Sequence, residues 1–302
     1  MALAFNSAIN DVYRQSLRSW KRIVQAYVLE NTDFLLGLMP EIEFLVKGTE
    51  FMRRILDANC KLSVPEIVEG DEPCFVATEL YNPCVALKVD DEIVTNDIAF
   101  NRENAMIYVL TGPNRGGKSV ITCAIGLAQA LAQLGMLVPA ESIKLSIADG
   151  IFTHFPTGAD DTIDKGRLGE ECARLVEIFD AITDKSLVLL DESLSSTGSF
   201  EASYIAAEVL AGLAQIGCRT LFSTHLHELA NEIDAINERS RETGGVMIDT
   251  LVAGIEEGKR SFKIVRAKPD GKSYARDIAE KYGLSYNSIV KKINANKTSE
   301  NA

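Results

Sequence analysis

One nine-residue string constrains this chain more than any other feature. The apolar run Met106–Leu110 (MIYVL) leads straight into Thr111-Gly112-Pro113-Asn114-Arg115-Gly116-Gly117-Lys118-Ser119, and then into the helix-like VITCAIGLAQALAQL. This is G-x-x-x-x-G-K-[ST] in the setting the pattern needs, between a buried strand and the start of a helix. Glycines let backbone N–H groups wrap a β-phosphate, and a helix N-terminus adds partial positive charge. The segment Gly112–Val120 is therefore expected to cradle a nucleotide. Lys118 is expected to reach the β- and γ-phosphates and the Ser119 hydroxyl to bind Mg²⁺.

A second signal lies downstream. Ser186-Leu187-Val188-Leu189-Leu190 reads as a buried strand that delivers Asp191 and Glu192 where it leaves the sheet, and ligands of open α/β sheets bind at such strand ends. Asp191 is expected to hold Mg²⁺, and Glu192 to orient or deprotonate an attacking water. A third strand ends at Phe222-Ser223-Thr224-His225. His225 can bond the γ-phosphate or the water, the blander reading being a cap on the next helix. His227 reads as surface, and His154 has no supporting context.

The rest of the chain fits an α/β frame. Residues 1 to about 60 carry two apolar stripes at helical spacing, Ile9 to Val28 and Ile42 to Leu56, which predict two helices that pack on each other or on a partner. Leu62–Pro73 reads as a linker or strand entry. Short β-like runs follow at CFVATEL, CVALKV, EIVTNDIAF and AMIYVLTG. Strands near Leu137 and Ile151 then alternate with helices at about 169–183 and 200–216, before a hairpin formed by GVMIDTLVAG and KRSFKIVRA. Alternation of this kind predicts a mostly parallel sheet with flanking helices. Two short helices are expected in the tail, at about 273–283 and 286–294. The domain division expected is a helical segment over 1–70 and an ATPase domain over 71–302.

Net charge is −12, which argues against a chain that grips DNA phosphates over its whole surface but leaves room for a local basic face. No run approaches the length of a membrane span. Six scattered cysteines without a C-x-x-C pair read as reduced, buried thiols, which suits the cytoplasm.

The full string TGPNRGGKS resembles the Walker A motif of the MutS family of DNA mismatch-repair ATPases. The order continues with LVPAESIKLSIADGIFTHFPTGADD, LVLLDESLSSTGS and FSTHLHEL, which resemble the family's strand block before its signature, its Walker B with following D-loop, and its histidine switch. DGKSYARDIAEKYGLSYNSIVKKI resembles the C-terminal helices (about 270–296) that lock MutS dimers. The resemblance covers roughly residues 74–295. It implies a P-loop NTPase of the ABC type with an antiparallel β part, binding ATP and Mg²⁺. It also implies a homodimer that completes each ATP site with the partner's signature segment, coupled to DNA. On this reading Lys118, Glu192 and His225 are catalytic, Ser119 and Asp191 hold the metal, Thr197 is the D-loop threonine, and Asn96 lies near the nucleotide base.

Departures from the family pattern carry expectations of their own. Gly166-Arg167 is followed by Leu168-Gly169-Glu170-Glu171 rather than S-T-F, which removes the serine that would meet a partner's γ-phosphate. Ile93 stands where an aromatic usually stacks on adenine, which predicts weaker base recognition, and Ser195 replaces the D-loop arginine. No segment has room for the family's mismatch-reading domain, and the helical N-terminus resembles only a stub of its core and lever. The chain is accordingly expected to be a fragment or a short, divergent member. Two other readings compete: a nucleotide-gated interaction module with little turnover, and an ABC-type ATPase of another family. The Gly-Gly before Lys118 and the lack of an LSGGQ signature count against the latter.

Overall fold

The computed structural model describes residues 2–70, 72–89, 92–156, 166–226, 228–256, 259–268, 280 and 282–290. The chain divides into two compact units, Met1–Arg54 and Ile55–Ala302. The first is one element, α1 (Ala2–Asp57), which runs on into the second. One helix of 56 residues thus replaces the two helices expected. Neither Gly37 nor Pro40 ends it, because an interior proline removes one hydrogen bond while good helix formers on both sides propagate the rest. The expected packing of one stripe on the other is absent: Tyr13, Trp20, Tyr27, Phe34 and Leu45 are all exposed.

The second unit contains β1 (Glu66–Val68), β2 (Phe75–Leu80), α2 (Pro83–Ala86), β3 (Asn96–Phe100), β4 (Ile107–Thr111), α3 (Lys118–Gln133), β5 (Ser142–Ser146) and β6 (Ile151–His154). Then follow α4 (Gly166–Ala181), β7 (Leu187–Asp191), α5 (Ser199–Ile216), β8 (Arg219–Ser223), α6 (Leu229–Thr243), β9 (Ile248–Glu256) and β10 (Lys259–Arg266). Two sheets result, a small one ordered β1-β5-β2-β3 and a large one ordered β10-β9-β4-β8-β7-β6. In the large sheet β9, β4, β8, β7 and β6 run parallel, and β10 closes the edge antiparallel. The mixed α/β architecture with a mostly parallel sheet is the one expected.

Continuous apolar strands such as Leu187–Leu190 are what a parallel sheet covered on both faces requires. Alternate side chains go to opposite sides. Val188 and Leu190 join Leu210, Phe222, Leu229 and Ile236 in a core shared with α5 and α6. Leu189 faces α3, where a Cβ on Gly126 would lie 2.8 Å from its Cδ1, so the glycine lets the helix lie close against β7. Arg219 ties the sheets together. It is fully buried on β8 and donates to the carbonyls of Cys74 at 2.9 Å, Ser146 at 3.2 Å and Lys185 at 2.8 Å.

Two local expectations are overturned. CVALKV is no strand: Asn82 caps α2, its Oδ1 accepting from the backbone of Cys84 at 2.9 Å and Val85 at 3.2 Å, and Pro83 begins the helix. Near Leu137 there is only an isolated bridge between Ser63 and Val138, and the strand forms later, as β5 in the small sheet. The Leu62–Pro73 segment supplies β1. Of the expected tail helices, residues 286–290 are helical, while 269–279 and 291–302 lie outside the described residues, as does His227. Among the described residues no helix is long and apolar enough to cross a membrane.

Candidate phosphate-binding site

The glycine loop joins β4 to α3, and its backbone needs glycine at defined points. Gly112 has φ 138° and its ideal Cβ would sit 2.7 Å from the Cβ of Ala253 on β9, so no side chain fits there. Gly117 has φ 93° and precedes α3 without any side-chain cap, which leaves the first-turn N–H groups facing outward for an anion. The turn is closed by the Gly116 N–H donating to Pro113 O at 3.0 Å, and Arg115 also sits at positive φ, 60°.

Lys118 is 4% exposed, and its side chain folds back along the loop. Its Nζ donates to Gly112 O at 3.1 Å and Pro113 O at 3.3 Å, and lies 3.4 Å from His225 Nδ1. Burial pulls the ammonium below the ordinary lysine range, opposed by the carboxylates of Glu192 and Asp191. Ser119 and Val120 are exposed beside it.

The ends of β7 and β8 meet this lysine. His225 Nε2 is 2.6 Å from Glu192 Oε1, so Lys118, His225 and Glu192 form one line of polar contacts. Glu192 has φ 50° and its N–H donates to Ser223 O at 2.8 Å, which turns its side chain out of the strand. Asp191 is 6% exposed and its Oδ1 has no hydrogen-bond partner among the described residues. An orphaned, buried carboxylate oxygen is costly unless something else meets it, and a cation or a bound water would do so. Thr224, not His225, caps the turn into α6, its Oγ1 accepting from the Leu226 N–H at 3.1 Å.

A cavity of about 470 Å³ opens here, walled by Ile93, Asn96, Arg115, Gly117, Lys118, Ser119, Val120, Glu192 and Phe262, with Tyr81, Asn82 and Val85 from the start of α2 and the residues before it. Gly112, Pro113, Asn114, Gly116, Asp191 and His225 are not on that wall. Asn96 spends its amide on β10, donating to Phe262 O at 3.2 Å and accepting from the Ile264 N–H at 2.6 Å. Those bonds span the register shift between Arg260 and Ile264 and hold Phe262 at φ 57° over Gly117. Phe262 was not legible in the sequence: a lone aromatic in a hairpin carries no signal that a bulge will turn it into a cavity.

The segment that departs from the family signature opens α4. Glu171 accepts a hydrogen bond from Ser196 Oγ at 2.6 Å, Thr197 donates to Glu201, and Ser195 is exposed.

A parallel sheet, an uncapped glycine loop before a helix and two acidic and histidine-bearing strand ends together define a P-loop α/β protein. Residues 108–299 match the family model described as MutS domain V. The chain belongs to the MutS family, of which it carries the C-terminal part. It is 35% identical over 226 residues to the DNA mismatch repair protein MutS of Brevibacillus brevis, covering 72% of this chain and 24% of that one. To the probable DNA mismatch repair protein Msh6 of Drosophila melanogaster it is 38% identical over 194 residues, 62% of this chain and 15% of the relative. To the DNA mismatch repair protein MSH2 of Arabidopsis thaliana it is 28% identical over 282 residues, 91% and 30%. The chain thus spans less than a third of the length of these relatives.

Proposed function

We propose that this domain binds ATP and hydrolyses it with Mg²⁺, as an ABC-type ATPase that pairs two copies around composite sites and serves a DNA mismatch-repair protein. The observation that carries this reading is the convergence of Lys118, His225 and Glu192 within hydrogen-bond reach of one another, beside the orphaned Asp191 oxygen. Asp191 and Ser119 would hold Mg²⁺, which supplies charge neutralisation at the phosphates. Lys118 would exchange the carbonyls of Gly112 and Pro113 for phosphate oxygens, a trade its fourfold-rotatable stem permits. That exchange removes it from His225. Glu192, oriented by His225 Nε2 at 2.6 Å, would take the proton of the attacking water on its remaining carboxylate lone pairs. Ile93 and Phe262 would flank the base.

A second reading, a nucleotide-gated module with little turnover, draws support from the opening of α4, where Gly166-Arg167-Leu168-Gly169-Glu170-Glu171 offers no serine hydroxyl to a partner's γ-phosphate. Steady-state ATP hydrolysis over a wide range of protein concentration, with and without duplex DNA, separates the two. Specific activity that climbs with concentration, and that Glu192→Gln abolishes while leaving ATP binding intact, is the expected result. Binding without turnover at every concentration would favour the gated module, and no ATP binding by the folded protein would end both.

A further inference from the structure

The turn that aims Glu192 is strained on both sides of one serine. Glu192 has φ 50° and Leu194 φ 64°, both in the left-handed region that side chains disfavour. Such residues persist only where their surroundings over-determine them. Glu192 is held by its N–H bond to Ser223 O at 2.8 Å, and Leu194 by burial in the core at 1% exposure. Ser193, between them, is 3% exposed, and among the described residues its hydroxyl has His154 as its partner.

His154 ends β6, pairs in register with Leu190, and is 1% exposed. Its Nδ1 is 2.7 Å from Ser193 Oγ, and Ser193 Oγ is 3.3 Å from the His154 carbonyl oxygen. Both contacts are made at once when the serine hydroxyl donates to the carbonyl and Nδ1–H donates to the serine oxygen. That assignment leaves Nε2 as a bare lone pair, and it has no partner among the described residues. Among the described residues the side-chain partner of the imidazole is therefore Ser193. Neither side chain lines the cavity or takes part in the Lys118–His225–Glu192 line.

We infer that His154 and Ser193 are a positioning pair, which pins the strained turn from the neighbouring strand and so fixes the direction of the Glu192 carboxylate. The inference rests on the proposed hydrolase reading for its consequence but not for its geometry. Releasing Ser193 lets the turn relax toward ordinary φ values and swings the carboxylate away from His225, while the glycine loop, on β4 and α3, keeps its shape. Misplacement of a reacting group by an ångström or so costs up to about 100-fold in rate.

The experiment uses Ser193→Ala, His154→Phe, His154→Asn and the double variant of the first two. For each, kcat, the ATP dissociation constant and the ring C–H resonance of His225 are measured, with Glu192→Gln as the reference for a broken pair. Ser193→Ala and His154→Phe are expected to lower kcat about 10-fold or more with ATP affinity unchanged. The double variant should fall no further, and His154→Asn, whose Nδ2 donates from nearly the same place, should recover most of the rate. The His225 signal should move toward its position in Glu192→Gln. Wild-type kcat together with an unmoved His225 signal in Ser193→Ala would overturn the inference. So would His154→Asn losing ATP binding and turnover together, since that is loss of packing. Should His154→Phe fail to fold, Ser193→Ala and His154→Asn carry the test. If the wild-type protein binds ATP and does not turn it over, the proposed function falls. The His225 signal then decides the pair by itself: movement in Ser193→Ala supports it and a fixed signal overturns it.

Discussion

Lys118 is the residue on which most of the site depends, and its position in this state is a substitution of partners waiting to happen. Its ammonium is satisfied by two loop carbonyls and faces His225, yet burial lowers its pKa. A phosphate would restore the charge balance. Lys118→Ala should therefore leave the fold intact and weaken ATP binding by at least about 100-fold, on the scale of a lost charge-assisted contact at a buried site, as read by equilibrium dialysis. His154 is the complementary case. Burial, then the charge of Arg174, holds its imidazole below the ordinary 6.5, with Glu171 acting the other way. A lowered folded pKa means the unfolded chain binds the extra proton first. Stability should thus be intact above pH 6.5 and fall as pH drops from there through the folded value. In His154→Asn this part of the acid dependence should vanish from thermal melts taken between pH 7 and 5; an unchanged profile would remove His154 as its source.

At the scale of elements, the join of β4 to α3 is where backbone and packing constraints coincide. Gly112 is at φ 138° with Ala253 of β9 filling the space a Cβ would need. Gly112→Ala should cost about 2 kcal/mol or more from strain and overpacking, measured as a shift in denaturant midpoint, and should also distort the cradle enough to weaken ATP binding. The β9–β10 hairpin does different work. Its bulge, stapled by Asn96, presents Phe262 to the cavity that Ile93 also lines. An isoleucine in place of an aromatic led to the expectation of weak base recognition. The hairpin supplies an aromatic face to the same cavity, so Phe262→Ala should weaken ATP binding more than inorganic triphosphate binding in parallel titrations. Equal losses for both would show that the ring does not meet the base.

For the whole molecule, Arg219 shows how two sheets become one body. Its buried guanidinium spends its donors on three carbonyls from the small sheet's flank and the β7 approach, and on the Gln129 amide oxygen. Burial lowers its pKa, yet an arginine so placed stays charged. Arg219→Leu removes the donor shared by those carbonyls, although Ser146 still donates to Cys74 O and Gln129 to Ser146 O, and should destabilise the protein by ~3 kcal/mol in urea unfolding. The local sequence determined the loop, the strand that carries Asp191 and Glu192, the strand that ends at His225 and the alternation that makes a parallel sheet. All of these are written in short-range periodicity and in residue types that a phosphate loop demands. It misjudged CVALKV, where a single Asn-Pro start outweighs β-like composition, and it split α1, where propagation overrides one glycine and one proline. Only the tertiary structure decided that Asn96 serves β10, that Phe262 enters the cavity, and that His154 holds Ser193. Each of those contacts joins residues 39 to 168 positions apart, and pairing over such distances depends on sheet order and strand register, which no local pattern encodes.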